Sequence, residues 1–391
     1  MSNFEKLYTE FENTRDVCDF YQKYESDSTS TRFLLIRSLD KNGLKDIITS
    51  YSNKEPSGSF KELTKTAYET SVTIPQLLNY IEGKRHDLIS ARKEELEGLP
   101  ELLSEFPVVN CGVRNDKVDD IVKSFVRNKA IKNIDELLSE LDESVLPKIR
   151  QYSMWSYYNQ TSNDVIELFF LEHPAVIPTL RKIHDIDFFI KLADKIIPFD
   201  LKFTHISESY FDLASQGILP AESGNDDFYI SDEKKSELKI IRRYYQRFRK
   251  SHSGLHLETA SKLSKSEIID ILAEYGDDED KSFITEVQKT HKKYVPTTNE
   301  ELKTLEWWNY KYQGERLFCN NNRLFVFLAF TDKFVDGREL KGKTKEISVK
   351  IKEMLDNIST STIHDIHYYY DKEAGLEKTY HAKSLSTIYF E

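Results

Sequence analysis

Cysteine is scarce in this chain. Only Cys18, Cys111 and Cys319 occur in 391 residues. Their odd number and wide separation exclude a disulfide framework or a zinc ribbon and fit a reducing cytoplasm. Glycine is held to 13 positions, and the sequence has no internal repeat and no low-complexity tract. No stretch approaches the ~18 apolar residues of a membrane span, and no basic-then-apolar leader opens the chain, so a cytoplasmic protein with no membrane partner is expected. Basic residues are outnumbered, giving a formal net charge of -11. That weighs only weakly against a polyanionic partner, because binding depends on where positive groups cluster.

What is present is the material of a globular core, with 39% hydrophobic and 12% aromatic residues. By length the chain is expected to fold as two units. Residues 1–150 read as a helical N-terminal domain: "SFKELTKTAYETSVTIPQLLNYIEGKRHDLISARKEELEGLPELLSEF" (59–106) and "DKVDDIVKSFVRNKAIKNIDELLSELDESVLPKIRQY" (116–152) repeat apolar residues every three or four positions. "SYSNKEPSGS" reads as a loop by its Pro, Gly and Ser content. Residues 151–391 change texture. "TSNDVIELFFLEH" predicts a helix capped by Thr161 or Ser162 and closed at Pro174. After "PAVIPTLRK", the runs "IHDIDFFI" and "IIPFDLKFTHI" predict a β-hairpin around "KLADK". A mainly helical insertion at about 207–312 then separates the hairpin from a third strand, "NRLFVFLAF". The amphipathic helix "LKGKTKEISVKIKEMLDNI" and the strands "IHDIHYYYD" and "STIYF" follow. The order predicts an α/β core.

"IPFDLKFTHI" carries the chemistry. On a strand, Asp200, Lys202 and Thr204 share one face, while Phe199, Leu201 and Phe203 share the other. The same acid-x-Lys spacing recurs at Glu237 and Lys239, Glu301 and Lys303, and Glu339 and Lys341, but in segments that read as helical or exposed. Only the pair at 200 and 202 sits in an apolar strand, where charge is costly without compensation. Asp187, in the partner strand of the hairpin, can meet Asp200. Two close carboxylates repel, and a hard cation with oxygen ligands, Mg²⁺ above all, relieves that repulsion. Lys202 would then lie beside the ion, placed to orient or deprotonate water and to offset transition-state charge. Glu167, among Ile166, Leu168, Phe169 and Phe170, is a further candidate on an inward-facing helix.

This combination resembles the PD-(D/E)xK nuclease superfamily, and within it the type II restriction endonucleases. Glu167 in "NDVIELFF", Asp187 in "IDFFI", and Asp200 with Lys202 in "PFDLKFT" carry the resemblance, which covers about 152–206 and 305–358. It implies a restriction-endonuclease-like mixed sheet flanked by helices and Mg²⁺-dependent cleavage of double-stranded DNA, with Mn²⁺ able to substitute. It also implies Asp187 and Asp200 as metal ligands, Lys202 as catalytic lysine and Glu167 as auxiliary acid; Leu201 is counted with the metal contacts. No proline immediately precedes Asp187, and Asp200 stands where Glu is usual. A homodimer is expected, since cutting both strands calls for two sites.

Away from the motif, "KIIRRYYQRFRKSHSGLH" carries Lys239, Arg242, Arg243, Arg247, Arg249 and Lys250 without an acid. Interleaved with Tyr244, Tyr245 and Phe248, they predict contact with DNA phosphates, the rings packing on sugar or base. Against that stands a merely solvated helix face. Asp185 competes with Asp187, though the following "FF" favours Asp187. The dipeptide His184–Asp185, set in a strand, and the pair His252 and His256 lack the further ligands a metal site needs. Trp155, Trp307 and Trp308 are expected in the core. Two rival functions remain open: a phage-defence nuclease effector of low sequence specificity, and a non-catalytic DNA-binding or scaffold protein.

Overall fold

A computed structural model of the chain describes residues 3–14, 17–25, 28–106, 115–183, 185–207, 210–211, 214, 237–255, 257–291, 295–312, 321–331, 336–370, 375 and 377–391. His184, His256, Cys111 and Cys319 lie outside the described residues, as does 215–236 within the expected helical insertion.

Helices α1 (Asn3–Thr14), α2 (Val17–Lys23), α3 (Thr29–Arg37), α4 (Lys41–Tyr51), α5 (Phe60–Tyr68), α6 (Ile74–Glu95), α7 (Leu99–Ser104), α8 (Asn115–Arg127) and α9 (Ile134–Glu140) precede one long helix, α10 (Leu146–Leu171). Their starts follow local chemistry. Asp40 accepts the Gly43 N–H at the head of α4, and Ser59 and Glu62 form a reciprocal cap at the head of α5. Helix α10 corrects the expected start at Thr161 or Ser162. It begins at Leu146 with Pro147 in its first turn, where a missing N–H costs nothing. Thr161 and Ser162 are buried inside it, and the Ser162 hydroxyl donates to the Asn159 carbonyl at 3.0 Å. Residue 150 therefore falls within a continuous helix. Phe4, Phe33 and Leu77 of the N-terminal helices join Ile166, Phe188, Phe199 and Val326 in one apolar cluster.

Strands β1 (Val176–Ile183), β2 (Ile186–Leu192) and β3 (Lys195–His205) follow, then helices α11 (Glu237–Ser251), α12 (Lys265–Tyr275), α13 (Asp278–His291) and α14 (Asn299–Tyr312). Strand β4 (Arg323–Ala329), helix α15 (Thr344–Asp356) and strands β5 (His364–Tyr370) and β6 (Lys378–Phe390) complete the described elements. The six strands form one sheet in the order β1-β2-β3-β4-β6-β5. The inner pairs β3–β4 and β4–β6 are parallel, and the others are antiparallel. An α/β fold with a mixed sheet flanked by helices was expected, and that is the architecture.

The predicted hairpin is β2–β3, closed between Leu192 and Lys195 by a turn in which Ala193 takes φ 52°. "PAVIPTLRK" adds an unforeseen strand, β1. Pro178 is tolerated there because β1 is an edge strand and can forgo one donor. Alternation along β4 divides the core: Leu324, Val326 and Leu328 face the large cluster, while Phe325, Phe327 and Ala329 pack with Trp307, Trp308 and Tyr310 of α14. All three tryptophans are buried, as expected. Helices α11 to α13 enclose a separate small core of Ile241, Tyr245, Phe248, Ile268 and Leu272.

Candidate active site

The hairpin ladder ends at the Phe188–Phe199 pair, one residue short of Asp187 and Asp200. Past that pair, the Leu201 N–H bonds the Asp187 carboxylate, Oδ2, at 2.8 Å instead of a β2 carbonyl. On its other side, Asp200 N–H donates to the Asn322 carbonyl at 2.9 Å, and Asp200 pairs with Arg323 in the parallel β3–β4 register. Main-chain groups alternate along a strand, so the Leu201 carbonyl points the same way as its N–H, toward Asp187.

The two carboxyls lie close enough to perturb each other's proton affinity. Burial, and then the charge of Asp200, push Asp187 up to about 6. Asp200 is raised as well, chiefly by burial and by the charge of Asp185, against the pull of Arg323 and Lys202. The Arg323 guanidinium, nearly buried, stands with Nε 3.4 Å from Asp200 Oδ2. Burial and the Arg323 charge lower the Lys202 ammonium below its ordinary range, opposed by Asp200. Asp200, Lys202 and Arg323 lie on the α14 face of the sheet, in register with Phe325 rather than Leu324.

The other expected site residues divide. Glu167, on α10, is turned to cations: Oε2 lies 3.3 Å from Lys182 Nζ, and Oε1 lies 3.6 Å from the Arg92 guanidinium. Burial raises its carboxyl, Lys182 lowers it, and the charge of Asp187 raises it again. Asp185 occupies the β1–β2 turn at φ 63°, off the ladder, and its charge raises Asp200. Among the described residues, no group of three or more His, Cys, Asp or Glu side chains is arranged to hold a metal ion. The donor set here is smaller, two carboxyls and a main-chain carbonyl, and it is all oxygen. Asp187, raised by burial and by the charge of Asp200, and Asp200, raised by burial, suit a hard divalent cation.

Two of the decoy pairs, in segments expected to be helical or exposed, have a buried member on a helical segment. Lys341 is 1% exposed, donating to Asn159 Oδ1 at 2.7 Å and Asn163 Oδ1 at 3.0 Å. Glu237 is buried against Lys265 at 3.5 Å.

The basic segment forms α11 and sorts itself by contact. Lys239, Arg243, Arg247 and Lys250 are exposed at steps of four, four and three, along one helix face. Arg242 bonds the Leu263 carbonyl at 3.3 Å, and Arg249 bonds the Leu257 carbonyl at 2.8 Å. The aromatic residues do not serve as expected. Tyr245 and Phe248 are buried, and Tyr244 stacks on Phe283 with centroids 3.7 Å apart. They fill the small core and are not presented to a base or sugar.

Sequence reasoning missed Arg323 and Asn322. The Asn322 amide donates to the Pro198 carbonyl at 3.1 Å and accepts the Lys383 N–H at 2.8 Å, fastening β3 and β6 at the end of β4. Only the identity of Arg323, a cation opening an otherwise apolar strand, could have marked it. No family model, curated protein or solved structure matches the chain.

Proposed function

We propose that this chain is a Mg²⁺-dependent endonuclease that hydrolyses DNA phosphodiester bonds, with a restriction-endonuclease-like core and the double-stranded DNA substrate of a type II restriction enzyme. One observation carries the reading. Where β2 parts from β3, Asp187 and Asp200 meet over the Leu201 main chain, with Lys202 next along the same face as Asp200. Asp187, Asp200 and the Leu201 carbonyl would hold the ion, which supplies Lewis-acid stabilisation of phosphoryl oxygens when bound. The chain's own groups do the rest. Lys202, its proton loosened by burial and by Arg323, takes or orients the proton of the attacking water. Arg323 holds Asp200 in place, and the exposed face of α11 supplies phosphate contacts. Glu167 has the role of an auxiliary acid, released from Lys182 as the site fills. A homodimer would bring one such site to each strand.

The deciding assay incubates the protein with Mg²⁺ and plasmid or phage DNA, alongside Asp200→Ala. Discrete fragments that vanish in the variant support a restriction enzyme, and unspecific degradation supports a defence effector. A second reading, a non-catalytic DNA-binding protein, is favoured by the ion pairs that engage Asp200 with Arg323 and Glu167 with Lys182. Absence of cutting with both Mg²⁺ and Mn²⁺ would favour it over the first.

A further inference from the structure

Strand β6 outruns its neighbour. It pairs with β5 only from Lys378 to Ser384, and from there to Phe390 it is laddered on its β4 side alone. The Glu391 N–H donates to the Ala329 carbonyl, which fixes the alternation: the main-chain groups of Ser386, Ile388 and Phe390 face away from β4. On that side lies a cavity of about 690 Å³ between the start of α14 and helix α15, with Leu302, Met354, Leu385 and Ile388 in its lining. Its floor is recessed, Ser386 being 7% and Thr387 9% exposed.

His364 also lines this cavity, at the point where β5 begins. Its Nδ1 lies 2.8 Å from Oε2 of the fully buried Glu306, whose Oε1 accepts the Ser386 hydroxyl at 2.5 Å. Glu306 thereby ties His364 to Ser386 across the floor of the cavity. The opposite nitrogen, Nε2, is shut off from bulk water and has no hydrogen-bond partner among the described residues.

We infer that this cleft binds an uncharged, extended peptide segment, which joins β6 in line with β5. Main-chain donors and acceptors repeating every second residue are matched by another extended backbone. Charge selects the class of partner. Among the described lining residues the one lysine, Lys350, is paired with Glu353 at 2.8 Å, so these walls bring no unpaired ammonium to a phosphate polymer or an acidic peptide. Depth excludes the pairing of two β6 edges from two copies, because each is equally recessed and could not reach the other.

The test screens the full-length protein against an array of uncharged peptides of roughly seven residues, a strand's usual length, with alternating apolar and Ser or Thr positions. The best binder is then measured by fluorescence anisotropy and amide hydrogen exchange. The expected result is at least tenfold slower exchange at Ser386, Ile388 and Phe390. Met354→Trp and Leu302→Trp, which narrow the cleft from opposite walls, should each weaken binding at least tenfold. A melting temperature measured for both keeps lost folding apart from lost binding, and either folded variant suffices. Three results would overturn the inference: no peptide binding tighter than about 1 mM, binding unchanged in a folded variant, or protection of amides elsewhere. Displacement of the peptide by a single-stranded oligonucleotide would overturn its choice of partner.

Discussion

Arg323 opens β4 directly beside Asp200 of β3, and its Nε stands 3.4 Å from the carboxylate. The arginine acts on two groups at once. It lowers the proton affinity of Asp200 against the effect of burial, and it lowers that of Lys202 in concert with burial. Replacing it with an uncharged residue of similar length should move both groups upward. Carboxyl and ammonium titrations followed by NMR in Arg323→Met should show Asp200 and Lys202 each titrating at higher pH than in the parent. Unchanged values would mean that the guanidinium exerts no field on the site.

The catalytic reading makes its own demand on Lys202. Lys202→Ala should lower Mg²⁺-dependent DNA cleavage by roughly 10²–10⁴-fold, the range for loss of a positioned proton-transfer group, while affinity for DNA in Ca²⁺ changes little. Single-turnover cleavage and a binding titration on the same preparation separate the two effects. Equal loss of both would assign Lys202 to binding.

Stability should depend on pH through the carboxyl pair. Asp187 has its proton affinity raised from 3.8 to about 6 in the folded chain. A raised carboxyl favours the fold below about pH 4 and loses that contribution as pH climbs through about 6, in total on the order of 2–3 kcal/mol. In chelator, the parent should lose stability between about pH 5 and about pH 7.5, on either side of that midpoint, and Asp187→Asn should lose distinctly less. Chemical denaturation at the two values decides it, and Mg²⁺ should restore the parent at the higher one.

The two sets of cations on α11 should respond differently to substitution. Arg243→Gln with Arg247→Gln should weaken DNA binding and flatten its salt dependence, by about 0.9 in the log–log slope for each phosphate the pair no longer neutralises. Arg249→Gln, which removes a bond to the Leu257 carbonyl, should lower the melting temperature and leave that slope alone. Equal slopes in all variants would take α11 out of the DNA interface.

The hairpin was legible because β2 and β3 are rich in aromatic and β-branched residues, and β3 alternates charge with apolar side chains. Its acids could be paired from sequence because a short turn fixes the register. Strand β1 was not legible, since Pro178 argues against a strand until its place at the sheet edge is known. Thr161 and Ser162 looked like a helix start because their preference for caps outweighs the weak periodicity before them, yet packing carries α10 straight through. The partnership of Asp200 with Arg323 joins positions far apart in the chain. No local pattern encodes a parallel pairing of that range, and the same holds for Asn322 and for Glu306 with His364.

Helix α10, a rod of 26 residues, reaches from the N-terminal helices to Glu167 and Phe170 under the sheet. Cutting the gene near codon 150 to isolate the second half would sever this rod close to its start and strip Ile166, Phe188 and Phe199 of Phe4, Phe33 and Leu77. The fragment would be sticky and poorly folded, so dissection of this enzyme candidate by truncation is the wrong tool, and point substitutions in the intact chain are the right one.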